Sequence, residues 1–159
     1  MASRSEQALL ALVAALSAKA AETPSDICAP SRNQELSERF QETDGVGRFF
    51  NVLDGDTDPD PDRQVLGPAN AGDRIYELRQ LATIEWAVFA ADDTEREAAH
   101  DAGMIAIDDA LAADRSLGLE ECWAEIERVR RSGLTTDGLP NIKASALDVA
   151  ITITSDRPF

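Results

Sequence analysis

Residues 74–117 read RIYELRQLATIEWAVFAADDTEREAAHDAGMIAIDDALAADRSL, and this stretch decides the fold class. Tyr76, Leu78, Ala82, Ile84, Trp86, Val88 and Ala90 fall on one side of an extended chain, with Glu77, Arg79, Thr83 and Glu85 on the other. Period-two alternation of this kind marks a sheet strand with one buried face. At Asp92-Asp93 the period changes. Two carboxylates suited to capping are followed by Glu95 and Glu97 at what would be the positive end of a helix dipole. Met104, Ile105, Ala106, Ile107, Ala110 and Leu111 then form a broad apolar helical face. Gly103 costs that helix about 1 kcal/mol relative to Ala, and its small size suits close packing on a sheet. Leu117-Gly118 closes the unit. A strand of about 75–91 passing into a helix of about 94–114 makes the chain mixed α and β.

Outward from this centre, Ser3-Arg4-Ser5-Glu6 has the spacing of a capping box. Ala8, Leu9, Leu12, Val13 and Leu16 continue it as an apolar stripe, predicting a helix over about 4–21. Pro24 disfavours helical geometry at Thr23 and ends it. Ile27-Cys28-Ala29 fits a short strand, and Asn33 to Phe40 a helical turn or a loop. Gly47 to Asp54 reads as a strand with Phe50 and Val52 on one face. It is expected to end at the hairpin-type dipeptide Asp54-Gly55. DGDTDPDPD, carrying two prolines without N–H groups, reads as an exposed loop tip. Gln64-Val65-Leu66 opens another short strand before a break at Gly67-Pro68. Leu119 to Arg131 fits helix or strand equally by spacing, and propensity alone favours helix. Gly133 and Gly138-Leu139-Pro140 mark turns. Leu147, Val149, Ile151 and Ile153 alternate with Asp148, Ala150, Thr152 and Thr154, giving a terminal strand over about 145–154. The sum is one α+β domain over residues 1–159: an antiparallel or mixed sheet with two main helices packed on one face.

Thirty acidic residues against fifteen basic ones give a formal charge of −15. That balance disfavours a DNA reader, which needs clustered Lys and Arg to displace counterions, and it disfavours docking on an anionic membrane. No apolar run approaches the ~20 residues of a membrane span. Two cysteines, Cys28 and Cys122, form no disulfide framework, and a reducing assembly environment is the simpler expectation.

Each catalytic template fails on a requirement. The single histidine, His100, reads as a solvated residue on the second helix. No Gly-x-Ser-x-Gly elbow projects a nucleophile, and Gly45-Val46-Gly47 lacks the third glycine of a dinucleotide loop. The Cys and His residues are too few and too scattered for zinc. Asp54, Asp56 and Asp58 occupy the first alternating positions of a calcium loop, but Pro59 stands where the glycine is needed and Val65 where the bidentate Glu is needed. No cofactor or metal is expected. Asp108-Asp109 reads as surface charge. Arg128, Arg130 and Arg131 form the one positive cluster; on a strand, Arg128 and Arg130 share a face, placed either to meet an acidic partner or to guard an edge.

Several stretches resemble a family of small phage proteins, the tail terminators or tail completion proteins of siphophages (long non-contractile tails) and of gene transfer agents. SRSEQALLALVAAL resembles the family's first helix, and FFNVLDGD with its acidic Pro-containing continuation resembles its hairpin. YELRQLATIEWAVFAADDTEREAAHDAGMIAIDDALAADRSLG is similar to its strand–helix centre. LEECWAEIERV and GLPNIKASALDVAITITSDRPF resemble its paired last strands, which favours strand for Leu119 to Arg131. Arg130-Arg131-Ser132-Gly133 departs from the pattern.

The resemblance implies a structural virion protein at the head–tail interface, acting by shape rather than catalysis. Such proteins form a ring, usually a homohexamer, that caps the head-proximal end of the tail tube and ends its polymerisation. The expected partners are further copies of the chain, the tail tube protein and the head–tail connector or stopper. Genome DNA passes through the lumen without specific binding, and no membrane is involved. Viral assembly would occur in the host cytoplasm and end in the virion. On this reading Asp54, Asp56, Asp58, Asp60, Asp62, Asp108 and Asp109 are candidates for lumen or partner contact, and Arg128, Arg130 and Arg131 for partner contact. The alternatives are another head–tail joining or tail tube component, the latter expected as a β-sandwich, and a small enzyme with an unrecognised site.

Overall fold

The computed structural model describes residues 2–35, 41–43, 45–66, 74–131 and 141–157. Two helices, α1 (Arg4–Ala20) and α2 (Asp93–Ala113), lie against six strands: β1 (Ser31–Arg32), β2 (Gln41–Thr43), β3 (Val46–Leu66), β4 (Arg74–Phe89), β5 (Cys122–Arg130) and β6 (Ile142–Ser155). The mixed sheet runs β1-β3-β4-β6-β5, with β2 beside β3. Among the described residues only the β1–β3 pair is parallel.

Both helices start where the caps predict. Ser3 accepts from the Glu6 amide at 3.2 Å, and Asp92 from the Glu95 amide at 2.8 Å. The reciprocal half of the capping box is not formed, because the Glu6 carboxylate instead takes Arg32. After α2, Asp114 accepts from the amides of Ser116 and Gly118, while Leu117 and Gly118 turn the chain at positive φ.

One face of the sheet carries the main core. Leu9, Leu12 and Leu16 of α1 and Ala106, Ile107 and Leu111 of α2 meet Phe50, Val52, Leu78, Ile84, Trp86, Leu147, Val149 and Ile151 in a single buried cluster. The register explains the set. Phe50 opposes Trp86, Val52 opposes Ile84, and Ile84 opposes Leu147, so the even positions of β4 and the odd positions of β6 share the covered face. Phe50 and Trp86 meet edge to face with centroids 5.8 Å apart, a favoured aromatic geometry. A Cβ on Gly103 would fall inside the Trp86 ring, so only glycine lets α2 lie this close. No helix among the described residues is long and apolar enough to cross a membrane.

Four expectations are corrected. The chain does not turn at Asp54-Gly55, and DGDTDPDPD is not a loop tip: β3 continues to Leu66. Thr57, Asp58 and Pro59 oppose Gln80, Arg79 and Leu78, with irregularities between Asp54 and Thr57 and between Pro59 and Gln64. Past Asp54 this strand has no described neighbour on its outer side, and an edge tolerates proline because no ladder amide is missed there. Buried Gln80 satisfies the first irregularity: its amide donates to the carbonyls of Gly55 and Leu81 at 2.8 Å and accepts from the Thr57 hydroxyl. Residues 27–29 form no strand; the short strand is Ser31–Arg32. Ile105 points out of the apolar face of α2 and is 62% exposed. His100 is buried, as described below. The ambiguous segment is strand β5, as the resemblance implies. Residues 36–40, 67–68, 133 and 138–140, where a helical turn or breaks were expected, lie outside the described residues.

Candidate assembly surfaces

Among the described residues both helices lie on one face of the sheet, so the opposite face and the edges are the candidate functional surfaces. On the uncovered face, Phe49, Ala87 and Ala144 form a small buried cluster with Ile142 against it. Beyond it the face mixes Leu81, Ala146, Ala150 and the exposed Phe89 with polar residues. Asn51 is fully buried, donates to Glu85 at 2.9 Å and pairs with the backbone of Gln34 in both directions. Thr83 donates to Asp148 at 3.2 Å, Arg130 donates to Asp148 at 2.6 Å, and Arg79 pairs with Glu127. Trp123 stands 54% exposed with the Arg115 guanidinium 5.6 Å from its ring centroid. Polar residues that pair with one another in this way suit a surface that meets water or a wet interface.

The acidic candidates separate by environment. Asp54 is engaged: Arg32 forks onto it and onto Glu6 at 2.7–2.8 Å, and Asn33 donates to it at 2.8 Å. Hydrogen bonds from Arg32, aided for Asp54 by Asn33, hold both carboxyls below their ordinary range. This clamp ties α1 and β1 to β3, so Asp54 has a structural employment. Asp56 and Asp58 are exposed on the outer strand, without an ion pair among the described residues. The side chains of Asp60 and Asp62 lie outside the described residues. Asp108 and Asp109 are exposed on the solvent side of α2.

The basic candidates sit at the opposite edge. Opposite Ala124 that edge is closed, because the Ala124 amide donates to the Arg115 carbonyl at 2.7 Å and the Arg115 guanidinium donates back at 3.3 Å. Farther along, a bulge between Ile126 and Arg128 displaces Glu127. Arg128 and Arg130 oppose Asp148 and Ala146 and share the uncovered face, as alternation predicts. Arg130 is held by Asp148, whereas Arg128 and Arg131 are exposed and unpaired among the described residues.

Sequence reasoning placed His100 on the surface; it is 3% exposed. Its Nε2 lies 3.0 Å from Ser145 Oγ, its Nδ1 lies 3.3 Å from Asp101 Oδ1, and its carbonyl accepts from Trp86 Nε1 at 3.1 Å. Burial pushes the imidazole pKa down, outweighing its hydrogen bond to the Asp101 carboxylate. The signal was available, since His100, Gly103, Ala106, Ile107 and Leu111 repeat at three and four residues along the buried stripe. Asp101, His100 and Ser145 are in line and border one cleft with Lys143, with the serine fully buried and the histidine nearly so. The arrangement ties α2 to β6, reinforced by Lys143, which pairs with Glu97 and Asp101.

A cleft of about 720 Å³ lies between residues 25–29 and α2 and is walled by Ile27, Ala98, Ala99 and Ala102. Among the described residues Arg48 is the one cation lining it, with Ser25, Asp26, Cys28 and Glu95 also at its wall. Both thiols are free, and burial raises Cys28 to about 11 and Cys122 in the same direction, so neither is an activated nucleophile. No group of three or more His, Cys, Asp or Glu side chains among the described residues is placed to hold a metal.

No family model matches the chain, and no curated protein sequence matches it. Among solved structures, the fold is similar to the sheath/tube terminator of an extracellular contractile injection system, PVC, in its extended state. The TM-score is 0.47 at 9% identity, over 98% of this chain and 58% of that one. The chain thus spans little more than half the length of that protein.

Proposed function

We propose that this chain is a tail terminator: a structural protein whose copies close into a ring, usually of six, on the head-proximal end of a tail tube. The ring ends tube polymerisation and presents a surface to the head's connector or stopper. The observation that carries the reading is the one-sided sheet. Both helices cover one face, leaving the other face and both edges for neighbours, whereas a tube protein is expected as a two-sheet sandwich. The stretches that resemble the family, including 76–118 and 141–155, form α2 and the contiguous β4-β6-β5 half of this sheet. A head-to-tail contact repeated around a closed axis makes such a ring without chemistry.

The charge agrees with a channel for DNA. Six copies at −15 each carry −90, and an acidic lumen repels phosphate and lets the duplex slide without specific binding. Asp108 and Asp109 are exposed and available for that role; Asp54 is already committed to Arg32.

The deciding experiment is immunogold or cryo-EM localisation in particles, with the mass of the assembled species. A six-copy ring at the head–tail junction is the expected result. Label spread along the tube would identify a tube component, and label absent from the particle would end the reading.

A further inference from the structure

The end of β5 at residues 128–131 and the outer stretch of β3 carry opposite charge, β5 also bearing exposed Glu125 and an Arg79-paired Glu127, and the order β1-β3-β4-β6-β5 puts the two strands on opposite sides of the sheet. At the β5 edge, exposed Arg128 and Arg131 flank Val129, which is 46% exposed. Arg131 also shares a cleft of about 290 Å³ with Met104 and the exposed Ile105. Val129, opposite Leu147, and Arg131 lie toward the helix side and Arg128 toward the other, so this edge bears an exposed apolar residue with an arginine on each face. At the outer edge, β3 presents Asp56 and Asp58 unpaired among the described residues.

From this we infer that neighbouring copies join head to tail, the Arg128–Val129–Arg131 edge of one seated on the Asp56–Asp58 stretch of β3 in the next. The inference rests on the ring reading above and names the surfaces that meet. The occupant is a second copy because of charge. Chains at −15 repel one another, so association needs a place where a basic patch on one meets an acidic patch on the other, and β5 holds the basic one. Such a contact uses two different patches, which is the heterologous kind that generates rings. It also fixes a stagger. Arg128 is level, through Asp148, with Thr83 of β4, and Asp58 is level with Arg79. Four residues of strand separate them, about 13 Å at ~3.3 Å per residue, so adjacent sheets meet offset along their strands.

The test uses the purified full chain in native mass spectrometry and sedimentation. The wild type should self-associate with rising concentration. Arg128→Glu with Arg131→Glu, and separately Asp56→Lys with Asp58→Lys, should each weaken association at least tenfold. Mixed one to one, the two variants should associate again, because each restores an opposite charge to the other's altered edge. Circular dichroism confirms that the variants are folded, since all four side chains are exposed. As an independent check, carbodiimide treatment of Arg128→Lys should join position 128 of one copy to Asp56 or Asp58 of another. A wild type that stays monomeric at its highest soluble concentration would overturn the inference, as would variants that associate like wild type or a mixture no better than its parts. Localisation at the head–tail junction is measured separately, so the terminator reading can survive that loss.

Discussion

The covered and uncovered faces of the sheet are made of alternate residues of the same strands, yet they are built to different rules. Along β4, Leu78, Ile84, Trp86 and Val88 face the helices and are fully buried, while Arg79, Thr83 and Glu85 face away and pair with polar partners. The first face holds the fold together by area removed from water. In the function proposed above, the second meets neighbouring subunits. Substitutions should therefore separate into those that lower stability and those that alter association.

The largest effect expected is at the centre of the covered face. Trp86→Ala removes a fully buried ring and its bond to the His100 carbonyl, a change that should cost about 3–5 kcal/mol in urea unfolding. Trp123→Ala, on the uncovered face, should stay within about 1 kcal/mol of wild type. Equal losses at the two sites would erase the distinction between the faces.

Gly103→Ala sharpens it from the helix side. Alanine gains about 1 kcal/mol of helix propensity, but its methyl group would overlap a Trp86 ring that is pinned on every side. Overpacking of this kind costs about 1–3 kcal/mol, so a net loss is expected. A stabilised variant would mean that α2 does not lie where described.

His100 gives the comparison a pH dependence. Its folded pKa lies below the ordinary value of about 6.5, so below that pH the unfolded chain binds a proton that the folded chain resists. The neutral-imidazole contribution is thus fully present above about pH 6.5 and falls as the solution is acidified. His100→Gln should flatten the stability profile between about pH 7 and pH 5. An unchanged slope would remove His100 from the core account.

The smallest effect is at the Arg32 clamp. Arg32→Ala should cost about 1 kcal/mol, the low figure reflecting partly exposed partners. Because the Glu6 and Asp54 carboxyls are depressed in the fold, the clamp contributes above the unfolded carboxylate pKa of about 4 and is lost as the pH falls below it. The difference between variant and wild type in thermal melts should therefore shrink from pH 6 to pH 3.

What could be read from the chain follows the same division. Ser3, Asp92 and the alternation of β4 and β6 were legible because capping and one-sided burial are local rules. The course of β3 past Asp54 was not. Prolines exclude an interior strand, and nothing local says that this stretch is an edge repaired by a glutamine twenty-odd residues away. His100 was misjudged by residue type although its spacing placed it on the buried stripe. The candidate surfaces were legible as charge, since the Asp and Arg clusters stand out in the sequence. The engagement of Asp54 by Arg32 and of Arg130 by Asp148 depends on pairing across strands and had no local signal.

The central claim is that the uncovered side of this sheet exists to meet other subunits around a tube end. Cryo-EM of intact particles, with this chain traced at the neck, tests it most directly. The account predicts a closed ring of about six copies, helices on one side of every sheet and edge meeting edge between neighbours. Density for a single isolated copy, or for the chain anywhere else in the particle, would contradict it.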